Sequence, residues 1–413
     1  MPDILPRLRM NLDFMPSPVS DRPGLLIRDP FRYSDATLIV PPPLVQCLEC
    51  FDGERTPGDL RERLFRVTGD FQVSELAGHL LRTLSEAGFL EDPNFERLRQ
   101  EREGAFARGD RREASHAGSA YPGEPEALRA FVGECLSDQQ TPVAGPEDDL
   151  IGLAAPHVSP DGGWETYQAA YRALDSRYRD RVFVILGTSH YGEPDRFGLT
   201  RKPFITPFGE ARTETALVDR LERTGGEAVK MEDYCQAVEH SIEFQVVFLQ
   251  HVLGPDVRIL PILCGAFAKG LSERARPEEE DRVRCFLDAL GELGAREGKR
   301  LFWVMGIDMA HMGRRYGDSF PAIADTDEMA EVAVRDAARI ERVEAGDAEG
   351  FWRLVQENHD DLKWCGSAPL YTFLRSAPGA RGSLRRYQQW NIDDQSVVSF
   401  GAMTFREEME STT

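Results

Sequence analysis

Three apolar runs in this chain each close on a histidine. Leu150–Ala155 leads into Pro156-His157, Val182–Leu186 into Gly187-Thr188-Ser189-His190, and Leu301–Gly306 into Ile307-Asp308-Met309-Ala310-His311. Runs of this length, rich in Val, Ile and Leu and closed by Gly or Pro, predict buried parallel strands. In an open α/β sheet, ligands bind in the crevice beyond the carboxyl ends of the strands. The chain has only 8 histidines in 413 residues. Three of them just past strand ends point to a convergent imidazole site, most simply a metal centre.

The rest of the composition narrows the class. A formal net charge of −21 argues against non-specific binding to nucleic acid or anionic membranes. The arginines of segment 97–112 are interleaved with Glu96, Glu101, Glu103, Asp110 and Glu113, the pattern of a solvated helix or linker. No apolar stretch approaches the length of a membrane span. Met1-Pro2-Asp3-Ile4-Leu5-Pro6-Arg7 contains no signal-peptide core, so a cytoplasmic protein is expected. Seven scattered cysteines, an odd number, do not suggest a disulfide framework. Cys47 and Cys50 make a lone C-x-x-C at helical spacing, a weak zinc signal without a second pair.

Along the chain, residues 1–43 predict a Pro-rich arm whose apolar patches at 25–27 and 37–40 are short strands or extended segments, ended by Pro41-Pro42-Pro43. Residues 44–92 predict a compact helical module. Thr56 is the expected N-cap of a helix carrying Leu60, Leu64 and Val67, and a third helix from about Ser74 carries Leu76, Leu80, Leu81 and Leu84. Residues 93–114 are a charged linker, and 115–408 the large domain. There a loop over 137–149, containing Pro142, precedes alternating elements. Strands are expected at 150–155, 181–187, 257–264 and 301–306. Helices are expected at about 164–174, 213–223, 239–253, 277–293, 325–340, 348–358 and 367–375, and a final strand pair at 383–391 and 396–405. The alternation predicts an α/β fold: a mostly parallel sheet flanked by helices on both faces.

Each candidate residue carries two readings. His157 and His190 are metal ligands or acid/base groups, or else hydrogen-bonded histidines closing their strands. His240 and Glu243, three apart at a helix start, would share a face and orient a ligand or shuttle a proton, or else cap the helix. Asp308, three residues before His311, would fix that imidazole's tautomer for acid/base work. Cys365 precedes a helix, a position that favours thiolate as ligand or nucleophile; the alternative is an ordinary buried thiol. The chain has no P-loop, no G-x-G-x-x-G after a strand, no G-x-S-x-G and no H-E-x-x-H.

In order, Ala117-Gly118-Ser119-Ala120-Tyr121-Pro122, Ala155-Pro156-His157, Leu186-Gly187-Thr188-Ser189-His190, Thr206-Pro207-Phe208-Gly209, Glu239-His240-Ser241-Ile242-Glu243, Leu260-Pro261-Ile262-Leu263-Cys264-Gly265, Ile307-Asp308-Met309-Ala310-His311 and Cys365-Gly366-Ser367-Ala368-Pro369 resemble the Memo family, also called AmmeMemoRadiSam system protein B. The resemblance covers about residues 115–406. It implies a fold similar to class III extradiol dioxygenases and a metal held by His157, His190 and Cys365, with His240, Asp308 and His311 lining the pocket as catalytic candidates. It implies iron or copper, with zinc as an alternative, redox chemistry, and association with a radical SAM protein and a third partner. A thiol where the dioxygenases use a carboxylate makes the site softer, so ring cleavage is not carried over. Val158-Ser159-Pro160, Ile307 and Ser367 depart from the family pattern in the pocket wall. Residues 44–92 resemble PqqD-like winged-helix modules, which implies a peptide or partner protein bound there. Two further readings follow: a non-catalytic adaptor working through that module, and a metal-free hydrolase using Cys365 with a histidine base.

Overall fold

A computed structural model describes residues 3–19, 21–137 and 145–408. Residues 138–144, most of the expected 137–149 loop, lie outside the described residues. The chain divides into Met1–Gly109 and Asp110–Thr413.

In the first unit the apolar patches of the arm are short strands, one of the two expected readings, and the arm is part of a folded core. Strands Asp13–Pro16, Leu25–Arg28 and Thr37–Val40 pair antiparallel in that order. Leu5, Leu8, Leu12, Ile27 and Val40 share a cluster with Leu60, Leu64, Leu80 and Leu84 of the helices. The prolines after Val40 end that strand but also start the short helix Pro42–Val45, because proline fits the first turn of a helix, where its missing N–H is not needed. Helix Pro57–Thr68 begins at the predicted cap: the Thr56 hydroxyl accepts from the Asp59 amide at 3.3 Å, and the Asp59 carboxylate accepts from the Thr56 amide at 2.7 Å. Helix Val73–Glu86 follows. The expected linker is the helix Pro93–Arg108, with Phe95 as its buried residue. Arg9 makes a two-pronged, buried ion pair with Asp29 at 3.0 and 3.1 Å and lies 4.0 Å from the Phe95 ring centroid. These contacts tie the arm and the charged helix into one unit, and charge patterning along the sequence cannot reveal them.

In the second unit, four parallel strands form the centre of a sheet in the order Leu150–Ala155, Leu301–Gly306, Val182–Thr188, Arg258–Cys264. Each shows the expected double burial. Val182, Val184 and Leu186 enter one core while Phe183 and Ile185 enter the other, as period-2 side chains must. Each fully buried side chain of this kind contributes about 1.5–3 kcal/mol. One face is covered by helices Asp281–Glu297, Asp327–Glu344, Ala348–Gln356 and Ser367–Ser376, the other by Pro125–Ser137, Pro160–Tyr171 and Glu243–Leu253.

The sheet as a whole is mixed, which corrects the mostly parallel expectation. The terminal hairpin Ala380–Asp393/Ser396–Glu407 places its second strand antiparallel to Leu150–Ala155, His311–Gly313 runs antiparallel beside that, and Phe197–Leu199 is antiparallel to Arg258–Cys264. A two-residue turn forces its strands antiparallel, but which neighbour a hairpin joins is a tertiary choice. The Pro207-Phe208 turn likewise joins a small hairpin, Phe204–Thr206 with Gly209–Thr213.

Two helix boundaries matter for the site. The helix expected at 164–174 begins at Pro160; Gly162 lies in its first turn because a Cβ there would stand 2.5 Å from Trp390. The helix expected at 239–253 begins only at Glu243, with Glu239 extended at φ −73°, ψ 138°. Among the described residues, no helix is long and apolar enough to cross a membrane.

Candidate metal centre

The strands that precede His157, Asp308 and His190 are neighbours in the sheet, with the Asp308 strand in the middle. Their parallel carboxyl ends therefore deliver these side chains to one place. His157 is 2% exposed, and its Nδ1 lies 2.9 Å from the Gly306 carbonyl on the next strand. A carbonyl only accepts, so Nδ1 carries the proton and Nε2 faces the site as a lone-pair donor. A Cβ on Gly306 would sit 2.1 Å from the Ser241 carbonyl, so only glycine lets segment 239–242 approach.

That segment supplies the remaining groups. Glu239, 1% exposed, accepts from the amides of His190 (2.9 Å), His240 (2.8 Å) and Ser241 (3.2 Å). Its carboxylate also lies 3.0 Å from His190 Nδ1 and 3.1 Å from His240 Nδ1. One buried carboxylate thus orients two imidazoles and leaves the Nε2 of each turned away. The ring centroids of His157, His190 and His240 are 4.9, 5.1 and 5.0 Å apart, with His190 and His240 stacked and His157 edge-on to both. Among the described residues, these three form a group whose donor atoms all lie within 4.8 Å of one another. Two metal–nitrogen bonds of about 2.0–2.1 Å at a tetrahedral angle put their donors about 3.3 Å apart, so ring movements of about an ångström bring the group onto one ion. The donor set fits the metal that the sequence implies.

Cys365 Sγ lies 3.3 Å from His157 Nε2 and bonds to His190 as well. Its backbone is clamped, with its carbonyl taking the Thr188 hydroxyl at 3.0 Å and the Gly366 amide reaching the Asp308 carbonyl at 3.0 Å. The thiol stands just before the helix Ser367–Ser376 on one face of the sheet, and Glu239-His240 just before the helix Glu243–Leu253 on the other. The expected ligands His157, His190 and Cys365 are therefore brought together, and His240 joins them more closely than a lining residue would.

Asp308 and His311 behave differently from expectation. Asp308 does not hold His311. Its carboxylate accepts from the amides of His157 (2.9 Å) and Val158 (3.3 Å) and lies 3.5 Å from His157 Nε2. His311 Nδ1 is held instead by the Met309 and Lys363 carbonyls at 3.0 and 3.1 Å, and its ring meets Tyr316 edge-on. His311 opens an edge strand, and its ring meets backbone carbonyls rather than the Asp308 carboxylate. Glu243 also departs from the shared-face reading: because the helix starts later, it faces Arg112, Ser115, the His116 amide and the Tyr121 hydroxyl. It anchors the 112–121 segment. Cys47 and Cys50 are buried, free thiols in the first unit's core.

The electrostatics follow from this packing. Burial, reinforced by His190 and His240, holds His157 neutral with its pKa well below the usual value. Desolvation works against a charged His190, but Glu239 and Cys365 outweigh it and leave the pKa well raised. Burial pushes Glu239 up, yet His190 and His240 hold it well below the carboxylate range. Burial lifts Asp308 to about 7 against the two amides that favour its charge, and drops His311 to about 4. Burial raises the Cys365 thiol although His190 opposes it. Glu239 is the functional residue that sequence reasoning missed. Its only signal was adjacency to His240, and the extended backbone that aims it has no sequence period.

Comparison with known proteins bears on the same region. A family model described as Memo-like protein matches residues 112–404. A MEMO1 family protein of Aquifex aeolicus is 26% identical over 386 residues, covering 92% of this chain and 95% of its own. That match is longer than the second unit alone and so reaches into the first. MEMO1 family proteins of Thermococcus kodakarensis (27% identical, 70% of this chain and 97% of theirs) and Thermus thermophilus (28%, 74% and 85%) are also similar.

Proposed function

The chain belongs to the Memo family, and from that premise we propose that it is a metalloprotein whose ion is held by His157, His190 and Cys365, with His240 at the same centre. The observation that carries this reading is the convergence of three imidazoles whose outer nitrogens are already committed to Gly306 and Glu239. Such pre-orientation costs buried polar groups and is what a ligand set needs. The mixed nitrogen and sulfur donors suit copper, zinc or thiolate-bound iron, and the family resemblance favours iron or copper among these. When bound, iron or copper would supply one-electron redox chemistry at this edge of the sheet.

The chain's own residues would do the rest. His157 stays neutral and keeps its Nε2 lone pair available. Glu239 fixes the tautomers of His190 and His240. Asp308, with a pKa near neutrality, would hold or release a proton beside His157. His240, Asp308 and His311 are the proposed acid/base groups. The fold relation to class III extradiol dioxygenases belongs to this reading; their ring cleavage does not. A hydrolase using Cys365 is disfavoured, because burial raises the thiol pKa where a nucleophile needs it lowered. Seven free cysteines accord with a reducing, cytoplasmic setting, and a radical SAM protein and a third partner would act with the chain.

Metal analysis after anaerobic purification tests the proposal. About one iron or copper per chain is expected, falling to near zero in His157→Ala and in Cys365→Ala. Metal content indifferent to both substitutions sinks it.

One feature favours the adaptor as a second reading. In the first unit, Met10 (80% exposed) and Phe14 (37% exposed) border a groove of about 860 Å³ with Leu25, Val45 and Phe51. In a PqqD-like winged helix, such a groove would take an apolar peptide segment. Pull-down with residues 1–109 against residues 110–413 separates the two readings. Partner capture by the first fragment alone, together with wild-type behaviour of the metal-site variants, would favour the adaptor.

A further inference from the structure

A cavity of about 220 Å³ opens from the candidate centre into the helix layer on the Cys365 side. At one end stand Cys365, His190 and Ser189. The body is walled by Phe267, Leu271, Trp352, Trp364, Cys264 and Ala368. Its polar atoms away from the centre are already spent. Trp352 Nε1 donates to the Ala275 carbonyl at 2.9 Å and Trp364 Nε1 to Asp336 at 2.6 Å, so both indoles offer only carbon. The Ser367 hydroxyl donates to the Trp364 carbonyl at 2.6 Å, and Asp360 accepts from Arg339 at 2.9 Å. Among the described residues no lysine or arginine lines the space, while a carboxylate, Asp360, does.

We infer that this cavity binds a compact, uncharged ligand with one hydroxyl or carbonyl group on an apolar body, the polar group directed toward Cys365 and His190. The inference rests on the metal-centre reading for its purpose, though the cavity itself is built from protein alone. Size sets the scale. An apolar cavity of ~150 Å³ accommodates benzene, so this one holds about nine non-hydrogen atoms. A carboxylate or phosphate would find His190 already paired with Glu239 and would lie beside Asp360, which is costly in a desolvated space. An apolar body would instead gain the transfer energy of each buried methylene, about 0.8 kcal/mol.

Trp352 and Trp364 make the cavity report on itself. The full chain, metal-free and metal-loaded, is titrated with benzyl alcohol and with benzoate while tryptophan emission is followed. Saturable quenching by benzyl alcohol is expected, with benzoate at least tenfold weaker on the metal-free protein. Ala368→Leu, which fills the cavity, is expected to weaken benzyl alcohol at least tenfold, and Leu271→Phe does the same from a less enclosed position should the first variant misfold. No saturable quenching, equal affinity for benzoate on the metal-free protein, or unchanged binding in the filled variants overturns the inference. Metal content is read on the same preparations. A metal-free wild type that binds benzyl alcohol upholds the cavity even if the metal reading falls. A metal-loaded wild type that does not bind it overturns the cavity while the metal reading stands.

Discussion

The two ends of the central parallel strands present opposite kinds of space. At the amino end, beside Ile151 and Leu301, a cavity of about 570 Å³ is lined by Gly291, Gly294, Trp303, Lys299 and Arg375. At the carboxyl end the cavity encloses only about 220 Å³, yet three imidazoles, a thiol and two buried carboxylates meet beside it. The larger space comes from small residues on helix Asp281–Glu297 leaving room against segment 375–380. The smaller one comes from strand exits converging, with loops from both helix layers dropping onto the same edge. Volume measures missing side chains; chemistry needs committed ones. The three imidazoles at the carboxyl end are held through their Nδ1 atoms by the Gly306 carbonyl and by Glu239 before any ligand arrives.

Removing that commitment should have the largest effect. Glu239→Gln keeps the shape but loses the charge that holds His190 and His240. Its metal affinity should fall about 10–100-fold, the usual cost of losing a group that orients ligands, with His157 still able to bind. Competition with a metallochromic chelator measures it, and wild-type affinity would mean that Glu239 orients nothing that matters.

A smaller effect tests the wall rather than the ligands. Burial lowers His116 to about 4, and its Nε2 lies 2.9 Å from the Val238 carbonyl. The folded pKa is below the unfolded value of about 6.5, so the stability contributed by neutral His116 is present above pH 6.5 and lost as pH falls toward 4. His116→Phe should lower the melting temperature at neutral pH, because a buried carbonyl loses its donor at a cost of about 1–3 kcal/mol. It should also flatten the acid slope of the metal-free protein between pH 6.5 and 4. Melting curves across that range decide it, and an unchanged slope would show that His116 does not titrate there.

The smallest effect belongs to the opposite edge. A Cβ on Gly291 would meet its nearest neighbour at 3.7 Å, an ordinary contact. Gly291→Ala in a helix interior should therefore stabilise by about 0.5–1 kcal/mol and leave metal content untouched. Metal loss in this variant, read alongside its thermal unfolding, would erase the distinction between the two ends.

Legibility in the sequence followed the physics of each element. The four central strands could be read because both faces are buried and the apolar runs are unbroken. The Thr56 cap could be read because its chemistry is local. The ligand candidates His157 and His190 could be read because each stands just past a strand. Glu239 could not, since its role depends on an extended turn before Glu243 that only the close approach to Gly306 permits. The Asp308–His311 pairing fails for a related reason: three residues of spacing say nothing once the second residue opens an edge strand.

By itself, the order of apolar runs and histidines determined a strand-rich α/β domain with imidazoles at one sheet edge, because burial periodicity and strand exits are local properties of a chain. Which strands became neighbours, which way the terminal hairpin ran, and which carboxylate came to hold which ring were decided only by tertiary packing. Those choices are settled by contacts between residues scores of positions apart, and no local pattern encodes them.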